Sequence, residues 1–166
     1  FKEQPWLIRP EYSHYLTSDE NLGKVSSAIA AHLGIDDHVE AMDDQKRPDL
    51  VFVMTDTGTP NHINIVELKS PSLPLTNAHL TQLEGYMAKV SRYCTMELSR
   101  EVQVHGYLIG AMPDDKTTAD DELLLLDRMR RSGPDTPWKV IGLRLLLEQA
   151  QAAHACQKCG LTSREA

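Results

Sequence analysis

The chain has 166 residues, 41% hydrophobic and 25% charged, which fits one domain with an ordinary core. A net charge of −7 excludes a domain-wide basic clamp for nucleic acid, while leaving room for a local groove in which a metal and a few Lys or Arg hold one backbone. No apolar run approaches a membrane span and no signal-peptide pattern opens the chain, so no membrane partner is expected.

Residues 1–16 (FKEQPWLIRPEYSHYL) are punctuated by proline and show no period, so they read as a leader or linker with room for a short strand. The first residue is Phe1 rather than Met, as expected for a piece of a longer protein whose other domains would be partners. The stretch TSDENLGKVSSAIAAHLG reads as a helix: Thr17 and Glu20 have capping-box spacing, Leu22, Val25, Ile29 and Leu33 form the stripe, and Gly34 ends it. HVEAM (residues 38–42) is a candidate short strand and DDQKR a polar turn. PDLVFVMTD follows as a strand, with Pro48 allowed at its first position, then a TGTPN turn and the strand HINIVELKS. These connections predict an antiparallel meander.

SPSLPLT is a Pro-broken loop, and a helix of about twenty residues is expected from Asn77, with Leu80, Leu83, Met87, Val90 and Cys94 on its apolar face. EVQVHGYLIGAM reads as a strand whose apolar second half belongs inside the sheet. DELLLLDRMRR reads as a helix, PWKVIGL as a short strand and RLLLEQAQAAHACQ as a last helix. The fold class is α/β, a mixed central sheet flanked by helices, with the domain over 17–150 and a helical tail over 151–166.

That tail holds Cys156 and Cys159 as C-x-x-C, with His154 two residues before. A structural zinc site needs four ligands, and no second pair is present, so two thiols in a tail are the simpler reading. A zinc-dependent interaction domain completed elsewhere stays as a weaker alternative. Three cysteines, an odd and low count, are what a reducing, cytoplasmic setting leads one to expect.

Three charges stand where strands usually avoid them. Asp49 opens one strand, and Glu67-Leu68-Lys69 closes the next. Burying a charge costs several kcal/mol unless it is paired or binds a metal. Residues i and i+2 of a strand share a face, so Glu67 and Lys69 project together. An antiparallel hairpin places the start of one strand beside the end of the other, which brings Asp49 to them. Two carboxylates and a lysine at one sheet edge suit a divalent ion with a built-in cation beside it.

Pro48-Asp49, then Glu67-Leu68-Lys69 after seventeen intervening residues, with Gln82 and Tyr86 as Q-x-x-x-Y on the following helix, resembles the PD-(D/E)XK nuclease superfamily. The text PDLVF…VELKSP…QLEGY looks most like its Shedu-type anti-phage branch. The resemblance covers residues 18–112, and more weakly those to 150. It implies a restriction-endonuclease-like αβββαβ core. It implies that Asp49 and Glu67, with the Leu68 carbonyl, bind Mg2+ or Mn2+. Lys69 would position the water, and Gln82 would orient Lys69 or contact the scissile phosphate. An acidic residue on the first helix is also implied, for which Asp19, Glu20 and Glu40 stay open, Glu20 being awkward because it lies nearly opposite the apolar stripe.

The function this implies is a metal-dependent DNA endonuclease domain, the effector of a prokaryotic anti-phage defence protein, assembled as a homo-oligomer. A catalytically inactive nuclease-fold scaffold or protein-interaction module is the alternative. The histidines show no i, i+4 pair and no H-x-H; His79, one turn before Gln82, reads as a surface residue within possible reach of phosphate. No Gly-rich phosphate loop, nucleophile elbow or dinucleotide fingerprint occurs.

Overall fold

The computed structural model describes residues 14–18, 20–32, 48–56 and 59–148. In chain order these form β1 (His14–Ser18), α1 (Leu22–His32), β2 (Leu50–Asp56), β3 (Thr59–Leu68), α2 (Asn77–Met96), β4 (Gln103–Gly110), α3 (Asp120–Arg131) and β5 (Trp138–Gly142). Residues 143–148 are helical. Among the described residues, five strands make one mixed sheet in the order β1-β2-β3-β4-β5. β1, β2 and β3 pair antiparallel, and β3, β4 and β5 pair parallel.

The beginning of the chain departs from expectation. β1 starts at His14 and supplies the short strand for which residues 1–16 left room, but it runs on to Ser18, so Thr17 belongs to this strand rather than to a helix cap. The helix begins at Leu22, and Asn21 does the capping: its Oδ1 accepts the Lys24 N–H at 3.0 Å. Glu20, the other half of the expected capping box, pairs with Lys24 at 2.9 Å. The order over these elements is therefore strand, helix, strand, strand, with one strand ahead of α1. HVEAM, Leu33, Gly34 and the tail with Cys156 and Cys159 lie outside the described residues. The TGTPN turn is also shorter than expected. Thr59–Asn61 belong to β3, and the register passes from Met54↔His62 to Thr55↔Pro60, which leaves Asn61 as the extra residue of a bulge.

The core follows from the strand period. Ile63 and Ile65 of β3 and Leu108 of β4 face the buried stripes of α1 (Leu22, Val25, Ile29), of α2 (Leu80, Leu83, Met87, Val90, Cys94) and Leu125 of α3. On the opposite face Val66, Tyr107 and Ile109 pack with Leu146, from the helical stretch 143–148. Helices thus cover both faces. The Leu123–Leu126 run divides accordingly: Leu125 and Leu126 are buried, while Leu123 and Leu124 are about half exposed, as are Leu145 and Leu147. Among the described residues no helix is long and apolar enough to cross a membrane.

α2 carries Gln82 and Tyr86, so its placement on the sheet sets where those two side chains can reach. Its first turn is closed by His79, whose Nδ1 accepts the Thr76 N–H at 3.1 Å. α3 clamps it from the side. Asp121 Oδ2 accepts the Ala78 N–H at 3.1 Å, and Arg128 donates to Asn77 Oδ1 at 3.0 Å. The Arg128 guanidinium also bonds Glu84 and lies 5.4 Å from the centre of the Trp138 ring. α3 itself is set by charge, with Asp120, Asp121 and Glu122 in its first turn and Arg128, Arg130 and Arg131 in its last.

Beneath α2, β4 carries Gly106 where a side chain would collide: an added Cβ would meet Met87 Sδ and lie 2.9 Å from Leu83 Cδ2. Gly85, on the outer side of the same helix, has open space around it. The two glycines should therefore answer oppositely to alanine. Gly106→Ala should cost about 1–3 kcal/mol by overpacking the helix–sheet contact. Gly85→Ala should stabilise by roughly 0.4–1 kcal/mol, because it removes freedom from the unfolded helix. Urea unfolding of both variants measures this, and equal signs would contradict the packing described.

Candidate active site

The sequence-derived quartet meets at one end of the sheet. The β2–β3 register pairs Leu50 with Val66, so one step further out Asp49 stands across from Glu67. The Leu68 N–H donates to Asp49 Oδ2 at 2.6 Å, which ties the carboxylate to the end of β3. Lys69 comes immediately after, its own N–H held by the Ile109 carbonyl at 2.8 Å. Asp49 and the E-L-K triplet are thus placed by main-chain pairing on both flanks of β3, from β2 on one side and β4 on the other.

Glu67 shares the face of Ile63 and Ile65, which lies under α2. It is 2% exposed, an extreme for a carboxylate. Its Oε1 accepts from Lys69 Nζ at 2.7 Å and from Gln82 Nε2 at 2.8 Å. Gln82 Oε1 in turn accepts from Lys69 Nζ at 3.2 Å, so the amide bridges the two charges. Gln82 Nε2 also lies 2.7 Å from Tyr86 OH, one turn along α2. These contacts leave the two oxygens of Glu67 unequal. Oε1 has two donors, and Oε2 is buried with no hydrogen-bond partner among the described residues.

Electrostatics express the same imbalance. Burial pushes the Glu67 carboxyl above its ordinary value of 4.5; the Lys69 hydrogen bond pulls it back, the charge of Asp49 pushes it up again, and the charge of Lys69 and the Asp49 main chain lower it further. Burial also raises the Tyr86 phenol, against the Gln82 bond that lowers it. His79 is lowered by burial and then by the charge of Lys69, while Asp121 opposes this. Since Nδ1 of His79 already accepts the Thr76 N–H, the neutral ring carries its proton on Nε2.

A divalent ion was implied for this place, and the residues fit one. A buried carboxylate oxygen without a donor, next to a second carboxylate that raises its proton affinity, is the arrangement a cation relieves. Among the described residues no third Asp, Glu, His or Cys joins Asp49 and Glu67. Two carboxylates suit magnesium, which keeps waters and substrate phosphate in its shell. Of the three acids considered for a further position, Glu20 is engaged with Lys24, and Asp19 and Glu40 lie outside the described residues.

Tyr86 was noted in the sequence only as part of a motif, and its bond to Gln82 shows what it touches. The role of His79 as a helix cap was missed. The signal was present in the Thr76–His79 spacing, since any acceptor three residues into a helix can reach back to the N-cap. Comparison with protein-family models and with curated proteins finds no match for this chain.

The raised carboxyl has a consequence for stability. Above pH 4.5 the unfolded chain releases the Glu67 proton while the folded chain still holds it. The folded state then binds more protons, so its stability falls as pH rises toward and through the folded value. In chelator, the wild-type melting temperature should decline over that range, and Glu67→Gln should flatten the decline. Parallel pH profiles for the two proteins would contradict the assignment.

Proposed function

We propose that this chain is a metal-dependent DNA endonuclease domain of the PD-(D/E)XK type, most like the Shedu branch, with the restriction-endonuclease-like core. The observation that supports this reading is the convergence of Asp49, Glu67, Lys69 and Gln82, from three separate segments, around one buried carboxylate. A pair of unrelated surface charges would not bring the Gln82 amide between them.

In this reading Asp49 and Glu67 hold Mg2+ or Mn2+, with the Leu68 carbonyl as a further ligand. When bound, such an ion draws charge from the phosphate oxygens and makes water more acidic. The chain's own residues do the rest. A lysine ammonium has three donors. Lys69 gives two of them to Glu67 Oε1 and Gln82 Oε1, which leaves one for the attacking water or a non-bridging phosphate oxygen. Its side chain is 22% exposed, so the cation reaches the solvent side of the site. Gln82 keeps the ammonium and the carboxylate in one relative position, so the charge that steadies the transition state is in place before the substrate arrives. Water attacks phosphorus in line, the P–O3′ bond breaks, and the proton released by water balances the one taken up by the 3′ oxygen. A 5′-phosphate and a 3′-hydroxyl remain.

In this reading, a net charge of −7 leaves most of the DNA affinity to be supplied by another domain or subunit. The half-exposed leucines of α3 and of residues 143–148 give a homo-oligomer apolar surface to use. A cytoplasmic anti-phage effector is the setting that the resemblance suggests.

The test is a paired measurement on Lys69→Ala. A group acting mainly in the transition state lowers turnover far more than affinity when it is removed. Single-turnover cleavage should fall by at least about a hundredfold. Metal titration should show binding retained, since both carboxylates remain. Cleavage at the wild-type rate, or loss of metal binding in this variant while Glu67→Ala keeps it, would overturn these roles.

A further inference from the structure

The chain passes from Lys69 to α2 through residues 70–76, and three main-chain N–H groups pin that passage. The Lys69 N–H is held by the Ile109 carbonyl at 2.8 Å, the Leu75 N–H by the Ala111 carbonyl at 2.8 Å, and the Thr76 N–H by His79 Nδ1 at 3.1 Å. The first two acceptors are carbonyls, which keep their lone pairs at any ordinary pH. The third is an imidazole nitrogen, which accepts only while the ring is neutral. A capping box normally places Glu or Gln three residues after the cap to make this bond. Here a histidine makes it, with an acceptor whose proton affinity lies near neutral pH.

We infer that His79 is a pH-sensitive latch on the candidate active site: neutral, it fastens the start of α2 to the passage from Lys69; protonated on Nδ1, it releases the Thr76 N–H and loosens Gln82 against Lys69 and Glu67. Thr76 Oγ1 lies 3.3 Å from the same nitrogen, so its hydroxyl can turn to accept the new proton. The Thr76 N–H cannot turn, and it is left without its acceptor. The added charge stands at the N-terminus of a twenty-residue helix, where the macrodipole disfavours it. Among the described residues two charges act on the ring. Lys69, just after β3, opposes protonation, and Asp121 of α3 favours it. Asp121 is already engaged, accepting the Ala78 N–H at 3.1 Å. Gln82 lies one turn further along α2 and bonds both Lys69 and Glu67, so movement of the first turn reaches that amide.

Burial, and then the Lys69 charge, lower the folded His79 below its ordinary 6.5. The unfolded chain takes up this proton at higher pH than the folded chain does. The latch's contribution to stability is therefore complete above 6.5 and is lost as pH falls through the lower folded value. This slope is opposite in sign to that of Glu67, whose carboxyl is raised.

His79→Gln separates the latch from its titration, since glutamine keeps an acceptor at the same place and has no proton to gain. From about pH 7.5 down to about pH 5, the range in which histidine titrates, the unfolding equilibrium constant of wild type in urea should rise roughly fivefold relative to His79→Gln, the effect of losing one cap. His79→Ala should already be weakened by that factor at the upper end. Parallel curves for wild type and His79→Gln, or a His79→Ala variant as stable as wild type there, would overturn the latch. Its link to the site has its own readout. In folded wild type the Gln82 side-chain amide resonances should shift with the His79 midpoint, and His79→Gln should lack that component, keeping only what Glu67 contributes. A Gln82 amide that ignores the His79 titration would overturn the link. Control of cleavage by the latch rests on the proposed nuclease function: the wild-type single-turnover rate should fall on the acid side by a factor that His79→Gln restores. The unfolding and resonance measurements need no cleavage, so failure of that function and failure of the latch are distinguishable.

Discussion

A carboxylate that is 2% exposed, with two donors on one oxygen and none on the other, is an unusual thing to place at the end of a strand. Burial of an ion is costly by several kcal/mol even after the protein relaxes, and a partner recovers that cost only if its geometry is good. Glu67 meets this condition on Oε1 alone, through Lys69 and Gln82. Much of the surrounding architecture can be traced to that requirement. β2 and β4 flank β3 so that its last residues are held by main-chain bonds. α2 must come down onto β4 closely enough for Gln82 to reach the strand end, and Gly106 is where the sheet yields the space. α3 then fixes the start of α2 through Asp121 and Arg128.

The middle of the chain was legible because its signals agreed with one another. α2 runs Asn77–Met96, the twenty residues its stripe indicated, and every apolar position of that stripe is buried. Asp49, Glu67 and Lys69 stood out because each broke the apolar pattern of a strand. A two-residue period together with a hairpin was enough to bring them to one edge. Main-chain pairing is determined by such local rules, which is why the site could be drawn before side chains were placed.

Other parts were not legible, for identifiable reasons. Thr17 and Glu20 matched a capping box by spacing, but β pairing with β2 outcompeted it and Asn21 took the cap. A five-residue strand such as β1 owes its existence to its partner rather than to its own sequence. The hydrogen bond between the His62 and His105 rings could not be seen either. Parallel register, which depends on how α2 spans the gap between β3 and β4, brings them together, and no motif spacing encodes that. Asn64 has the same character: a polar residue in an apolar strand, whose surroundings come wholly from tertiary packing.

The central claim is that the uncompensated oxygen of Glu67 exists to meet a divalent cation shared with Asp49. Crystals of the chain soaked in Mn2+ and measured at a wavelength where manganese scatters anomalously address it directly. The account predicts an anomalous peak within coordination distance of Glu67 Oε2 and an Asp49 carboxylate oxygen, with Lys69 and Gln82 still on Oε1. A map with no peak between these two residues, or a manganese bound elsewhere while Oε2 keeps no partner, would contradict it.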